Sequence, residues 1–517
     1  MRMSLVLRAV ATSWVFVLAN ATVALFLTPY ILHRLGDEAF GLWVLVVTLT
    51  GYYGFLDAGF RSSILRYVSR HKALGEKESV NEIVATGFYF YLAACTVIIL
   101  VTYCSVDWVS RLLVPQDELP ELFSAFKSLF LLAGVVQGVT LPLLAFAGVL
   151  EAAGRYDQVY GIGVACLAIR VIVLIGVLHA GGGLFGVGAA TILSQLLAYC
   201  LQVPLAMRAH RELSLRPKWV RKSAFWAMLG YGSISTTVGI AEKMRANIYP
   251  VVIAAFMTPA AVTLFSLPMK ILIVPTEWIA TMTAIVNPLS SQLDSRNDFA
   301  KLRELIQLSV QSAFLLVVPL AAFLFAFGRE LLTLWVGKEY VSAYPLLVLL
   351  TLGMGAAATQ FCIQSMLFGI ERHKQLIWYR FGEGLSITIL GSVALRIGGL
   401  VGFAWVIAMT LLVTSLILVP RHLCRILDLP LRTYWMEGCL KPSVAALPAA
   451  TAFMVLHSLF VIDTWAVLVV VFLVGSLVHA LTLLLMMVYR SNAISHRMIP
   501  RILLPGAFRS GVSEIDS

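Results

Sequence analysis

The sequence predicts an all-α polytopic membrane protein of about fourteen transmembrane helices. Three observations predict it. First, the 517 residues are 60% hydrophobic and only 13% charged, with the shortage of charge spread along the chain; a soluble chain carries about a quarter charged residues. Second, apolar segments long enough to cross hydrocarbon recur from end to end. Third, lysine and arginine alternate in density from one break between segments to the next.

The apolar segments fall at about 9–31, 39–60, 83–105, 122–150, 158–180, 184–207, 225–255, 260–288, 304–327, 342–369, 376–396, 399–420, 442–461 and 464–489. Most reach the ~20 residues that a helix needs to span a bilayer. The first starts near Val10, exceeds a signal-peptide core and lacks a small-residue cleavage pattern, so it reads as a span. Segments 122–150, 225–255 and 260–288 are too long for a simple span. They call for tilt, for kinks at Pro142, Pro250 or Pro275, or for extension beyond the membrane.

With the N-terminus in the cytoplasm, twenty-eight of the thirty-eight Lys and Arg lie in breaks on the cytoplasmic side. They include Arg61, Arg66, Arg70, Lys72 and Lys77, the run from Arg208 to Lys222, and Arg372, Lys374 and Arg380. The opposite side receives five: Arg34, Arg111, Arg329, Lys338 and Arg396. Losing one span would invert the pattern downstream, and no inversion occurs, so both termini are expected in the cytoplasm. The net charge of +11 is therefore a sidedness signal. No polar stretch is long enough to carry a nucleic-acid surface. The cytoplasmic breaks at 61–82, 208–224 and 289–303 read as amphipathic interfacial helices, and the longest outer loop, 106–120, has room for a short element only.

The chain repeats. A shift of 222 residues lays Leu35-Gly36-Asp37-Glu38-Ala39-Phe40-Gly41-Leu42-Trp43 over Met257-Thr258-Pro259-Ala260-Ala261-Val262-Thr263-Leu264-Phe265, and Glu82 over Glu304. A slightly shorter shift lays Leu150 and Arg155 over Leu367 and Arg372. The expected organisation is an N-terminal six-helix bundle at 1–215, a second at 225–420, an extra helix pair at 440–490 and a cytoplasmic tail at 491–517. Six spans is an even number, so the repeat is parallel, about an axis along the membrane normal, with a path expected between the bundles.

Ionisable groups inside a span cost ~2.5–3.5 kcal/mol each on insertion scales, so they are the first candidates for function. Five basic residues lie inside the spans: Lys127, Arg170, Lys243, Arg245 and Lys270. Glu242 and Glu277 accompany them, Glu277 seven residues from Lys270 and so on one helix face. The pattern predicts a cationic lumen in which Arg170, Arg245, Lys270 and Lys243 meet phosphate or carboxylate. Glu242 or Glu277 would be the carboxylate that couples an ion. The competing reading is internal ion pairing that locks spans seven and eight, for example Glu242 with Lys270. Asn20, Gln137, Thr140, Gln195, Thr236, Thr237, Gln360 and Gln364 are suited to sugar hydroxyls or to helix–helix hydrogen bonds, and Lys127 can snorkel outward. Asp57 and Arg61, four apart, read as an ion pair at the rim. Seven cysteines without a CxxC pair and nine scattered histidines support neither disulfide framework nor metal site. No phosphate loop, nucleophile elbow or HExxH motif occurs, which argues against an enzyme and leaves no cofactor to expect.

Thr28-Pro29-Tyr30, Leu35-Gly36, Phe40-Gly41-Leu42-Trp43 and Leu56-Asp57-Ala58-Gly59-Phe60 running into Arg66-Tyr67-Val68-Ser69 resemble the first-hairpin signature of bacterial polysaccharide flippases. These belong to the multidrug/oligosaccharidyl-lipid/polysaccharide exporter superfamily. Gly154-Arg155-Tyr156 and Pro259-Ala260-Ala261-Val262 resemble further elements of that family, although Thr263-Leu264-Phe265 stands where relatives show a Gly-Leu-Tyr-like turn. The resemblance implies a multi-pass protein of the bacterial inner membrane. It would turn a polyprenyl-pyrophosphate-linked oligosaccharide to the outer leaflet for O-antigen, capsule or exopolysaccharide, with membrane lipid and a polysaccharide polymerase or assembly complex as partners. The alternatives are a multidrug/cation antiporter of the same superfamily and a membrane polysaccharide polymerase or ligase. No Asp or Glu precedes Asp37, and the outer loops are short, which disfavours both.

Overall fold

A backbone in hydrocarbon must satisfy its own N–H and C=O groups, and an α-helix does so within one segment. The structure, a computed structural model, follows that rule across residues 3–57 and 59–491, which it describes; the side chains of 3–7, 9–10, 232–236, 238, 242–243, 246 and 487–491 lie outside the description. Among the described residues there is no strand. Among the described residues, twelve helical stretches are long and apolar enough to cross a membrane. One of them, Leu376–Leu427, is 52 residues long and turns back at Gly399, where φ is 58°. It therefore counts as two spans, and the 35-residue helix Lys222–Phe256 adds one more. The expected fourteen are present.

The first half comprises α1 (Met3–Leu35), α2 (Asp37–Gly51), α3 (Phe60–Ala73), α4 (Lys77–Leu113), α5 (Pro120–Ala152), α6 (Tyr156–His179) and α7 (Gly183–Ala209). The second comprises α8 (Lys222–Phe256), α9 (Pro259–Thr283), α10 (Val286–Ser295), α11 (Phe299–Trp335), α12 (Tyr344–Ala358), α13 (Gln360–Gly369) and α14 (Leu376–Val413). The repeat shows in some of the element boundaries. α2 and α9 start 222 residues apart, and α4 and α11, each 37 residues long, start and end 222 apart. The turns repeat too. Gly75 (φ 75°) corresponds to Asn297 (φ 54°), and Gly154 (φ 71°) to Glu371 (φ 55°). A residue after a helix C-terminus commonly takes this left-handed conformation, where Gly is unstrained and Asn is the usual substitute.

Within the first half α5 packs on α4 and α7, and α6 on α1 and α7; within the second, α14 packs on α8 and α12, and α12 on α9 and α11. The last pair of spans, Leu431–Leu459 and Trp465–Met486, docks on α11. Phe323 of α11 lies 5.4 Å from Phe453 and 5.0 Å from Phe472, ring centre to ring centre.

The long segments resolve differently from one another. Pro142 and Pro250 stay inside continuous helices, whereas the segment 260–288 divides, with α9 ending at Thr283 and α10 beginning at Val286. Of the three expected interfacial helices two form. α3 buries Phe60, Ser63, Ile64 and Val68 on one face, and α10 buries Val286 and Ser290. The third does not: between Ala209 and Lys222 the chain makes only the 3-10 turn Pro217–Trp219. Side chains of α4 satisfy its backbone instead. Asn81 accepts from Ser214 N–H (2.8 Å) and donates to Glu212 O (3.3 Å), and the Thr86 hydroxyl accepts from Arg221 N–H (3.0 Å). Lys77–Glu212 (2.7 Å) and Arg221–Glu82 (2.9 Å) ion pairs flank these bonds. The strap delivers α8 onto the first half, where Phe225 meets Phe60 at 5.7 Å and Ser63 donates to Met228 O at 2.8 Å.

Candidate functional site

The two halves close on each other at the face poor in Lys and Arg. The contact is made by the repeated segments themselves, α2 against α9. A Cβ on Gly41 would lie 1.9 Å from the carbonyl oxygen of Pro259, so only glycine permits this approach. Thr263 donates to Asp37 O at 2.5 Å, and the Tyr340 hydroxyl donates to the Asp37 carboxylate. Trp335 Nε1 donates to Leu25 O at 2.7 Å, and His33 lies 3.6 Å from Glu339. Each of these contacts joins the first half to the second.

Lys270 lies just inside this seal. It projects from α9 over two rings of α2, its ammonium 5.5 Å from the centre of Phe40 and 5.4 Å from that of Trp43. Lys270 is half-buried, and among the described residues no carboxylate pairs with it. The indole Nε1 of Trp43 is buried and has no hydrogen-bond partner among them either.

Arg170 sits on α6, the helix that packs on α1 through Phe16–Tyr160 (5.9 Å) and Tyr30–His179 (6.4 Å). Its Nε is buried without a hydrogen-bond partner among the described residues. Arg245 is placed otherwise. Its Nε lies 3.2 Å from Glu383 Oε2, and its Nη1 donates to the Tyr249 hydroxyl at 3.2 Å. Arg380 shares the same carboxylate at 3.0 Å. Two arginines around one glutamate leave the cluster net cationic, with Arg380 3% and Glu383 2% exposed. Removing one partner from such a buried pair costs about 3–5 kcal/mol, because the other charge is stranded.

The remaining candidates scatter. Glu277 is exposed on α9, and no ion pair joins it to Lys270 among the described residues. Asn20 donates to Phe16 O of its own helix at 3.3 Å. Lys127 pairs with Asp107 of α4. The side chains of Glu242 and Lys243 lie outside the described residues.

Two sequence readings change. Arg380, assigned to a basic break beside Arg372 and Lys374, is inside α14. Asp57 and Arg61 do not pair side chain to side chain. The Arg61 guanidinium reaches Glu151 of α5, while Asp57 accepts from the Tyr91 hydroxyl and from Arg61 N–H. Glu383 was missed, although it stands inside the apolar segment 376–396, where an ionisable residue is itself the signal.

A bundle of apolar helices in two repeated halves, closed at one face and carrying buried cations, defines a multi-pass membrane transporter. The family described as "Polysaccharide biosynthesis protein" matches residues 31–345, and the chain belongs to that family. An "Uncharacterized membrane protein EpsK" of Bacillus subtilis (strain 168) is 23% identical over 467 residues, which cover 87% of this chain and 89% of the relative. A "Putative O-antigen transporter" of Shigella flexneri is 20% identical over 337 residues, 63% of this chain and 75% of the relative. Among solved structures, the lipid II flippase MurJ in an inward closed conformation superposes with a TM-score of 0.66 at 12% identity, over 95% of this chain and all of the other. An inward-facing multidrug resistance MATE family transporter of the MOP superfamily gives 0.66 at 14%, over 80% of this chain and 95% of the other. These likenesses show the fold.

Proposed function

We propose that this protein flips a polyprenyl-pyrophosphate-linked oligosaccharide from the cytoplasmic to the outer leaflet of a bacterial inner membrane, for surface polysaccharide synthesis. The observation that carries the reading is Lys270, a cation with no carboxylate partner among the described residues, held between the two halves immediately inside their closed face. An unpaired charge in that position is expensive unless a ligand anion compensates it. The pyrophosphate supplies such an anion, while the lipid tail stays in the bilayer.

With both termini in the cytoplasm, the closed face is the outer one and the proposed path opens inward. The halves at 1–215 and 225–420 rock about the α2–α9 contact, and the pair at 440–490 gives the tail a surface. Arg170 and the Arg245–Glu383–Arg380 cluster add cationic groups to the proposed path. Lys243 and Asn20 complete the proposed substrate contacts. Glu242 and Glu277 are the proposed ion-coupling carboxylates. The flipped lipid passes to a polymerase or an assembly complex.

The experiment is complementation. In a deletion strain, Lys270→Ala, Arg170→Ala and Arg245→Ala are compared at equal protein level for surface polysaccharide. Loss of product with accumulated, complete lipid-linked repeat units supports the reading; full activity in all three contradicts the cationic path. Drug sensitivity as the sole phenotype of the deletion would indicate an exporter instead.

A further inference from the structure

Lys270 does more than carry charge at the seal. It belongs to the second half, and Phe40 and Trp43, the rings it covers, belong to the first. The two rings meet edge to face, 5.4 Å between centres and 74° apart, so they present a joined surface. Phe40 is fully buried and fixed, and Gly41 beside it is locked against Pro259. A helical side chain leans toward the N-terminus of its own helix, which for Lys270 is the direction of Pro259 and the seal. The ammonium is therefore a bridge between halves, made through ring faces, with no carboxylate on it among the described residues.

Such a bridge responds to anions. An ammonium over aromatic rings is attracted by ~0.5–2 kcal/mol, and a hydrogen bond between it and a phosphate oxygen is charge-assisted and stronger. Trp43 adds a second donor at the same place, since its buried N–H has no partner among the described residues. We infer that Lys270 and Trp43 form an anion-sensing latch. In the empty carrier the ammonium holds α2 to α9. A phosphate that reaches it draws it off the rings, takes the Trp43 N–H as the helices part, and so loosens the seal only when the charged head is in place. The identity of that phosphate as a lipid-linked pyrophosphate rests on the proposed function; the latch itself requires only the anion.

The test reads the seal directly. Spin labels are placed at two exposed positions on either side of it, Arg34→Cys and Lys338→Cys. The full chain, with its other cysteines replaced by Ser, is held in phosphatidylcholine nanodiscs, and the label–label distance distribution is measured by pulsed electron resonance. Polyprenyl pyrophosphate is expected to populate a longer distance, and uncharged polyprenol is not. Lys270→Ala is expected to raise the separated population of the empty protein roughly 2- to 30-fold and to abolish the response, whereas Lys270→Arg keeps both latch and response. Trp43→Phe keeps the empty protein closed and weakens the response. Equal distributions and equal responses in wild type and Lys270→Ala would overturn the latch and leave the flippase reading standing. A wild type that ignores polyprenyl pyrophosphate but opens with inorganic pyrophosphate would keep the latch and reject the lipid-linked substrate.

Discussion

At the scale of single residues, Gly41 has the least freedom. Its missing side chain is what lets α2 rest on the Pro259 carbonyl, 1.9 Å from where a Cβ would be. Gly41→Val must push the helices apart by more than a side-chain adjustment, since the atom it meets is backbone. Overpacking of this kind costs about 1–3 kcal/mol, here charged to the closed state alone. The expected outcome is normal protein level, lost polysaccharide and a longer distance between spin labels at Arg34→Cys and Lys338→Cys on either side of the seal. His373 tests a different property. It lies between α13 and α14, stacked on Phe368 at 4.4 Å, and burial pushes its pKa below the usual imidazole value. The folded state thus favours the neutral ring, and the unfolded state binds the proton first as pH falls. Its contribution to stability is present above the unfolded pKa of about 6.5 and is lost as pH falls through the lowered folded value. Thermal unfolding in detergent between pH 7.5 and 5 should therefore show a shallower pH dependence for His373→Gln than for wild type. An unchanged slope would mean that the ring is not desolvated.

At the scale of elements, the sequence carries the helices and loses their partners. Apolar runs set the fourteen spans because length and hydropathy suffice for a bilayer. The 222-residue shift, read from 35–43 over 257–265 and Glu82 over Glu304, recurs in the starts of α2 and α9 and in the starts and ends of α4 and α11. What spacing along one helix cannot carry is contact across helices. Glu383 joins Arg245 from another helix, and Arg61 prefers Glu151, ninety residues away, to Asp57, four away. Arg380 looked cytoplasmic because it follows Arg372 and Lys374, yet α14 begins at Leu376 and draws it inside. The strap at 210–221 failed as a helix for local reasons: Pro217 removes a donor, and Asn81, Thr86 and Glu82 of α4 offer its backbone and side chains better partners. Asn81→Ala removes two hydrogen bonds from this strap, and it should lower stability by about 1–3 kcal/mol. The check is the thermal midpoint in detergent. Trypsin cleavage between Arg211 and Arg221 should rise with it, and a strap no more accessible than in wild type would show that the ion pairs alone hold it.

At the scale of the whole molecule, two repeated halves meet at one face through their own repeated segments, Asp37 to Gly41 on one side and Pro259 to Thr263 on the other. This geometry closes one end of the molecule, with Lys270 at that seal and with Arg170 and the Arg245–Glu383–Arg380 cluster as further basic groups set into the helices. A fold like that of drug transporters and of a lipid flippase leaves the cargo to the site, and the cargo proposed from Lys270 is an anion with a lipid tail. The most direct measurement is the sidedness of the lipid-linked oligosaccharide in spheroplasts of a deletion strain, read by its accessibility to an added glycosidase. The account predicts complete repeat units protected in the cytoplasmic leaflet, and their exposure when the wild-type chain, but not Lys270→Ala, is restored. Outward-facing, unpolymerised units in the deletion strain would contradict it.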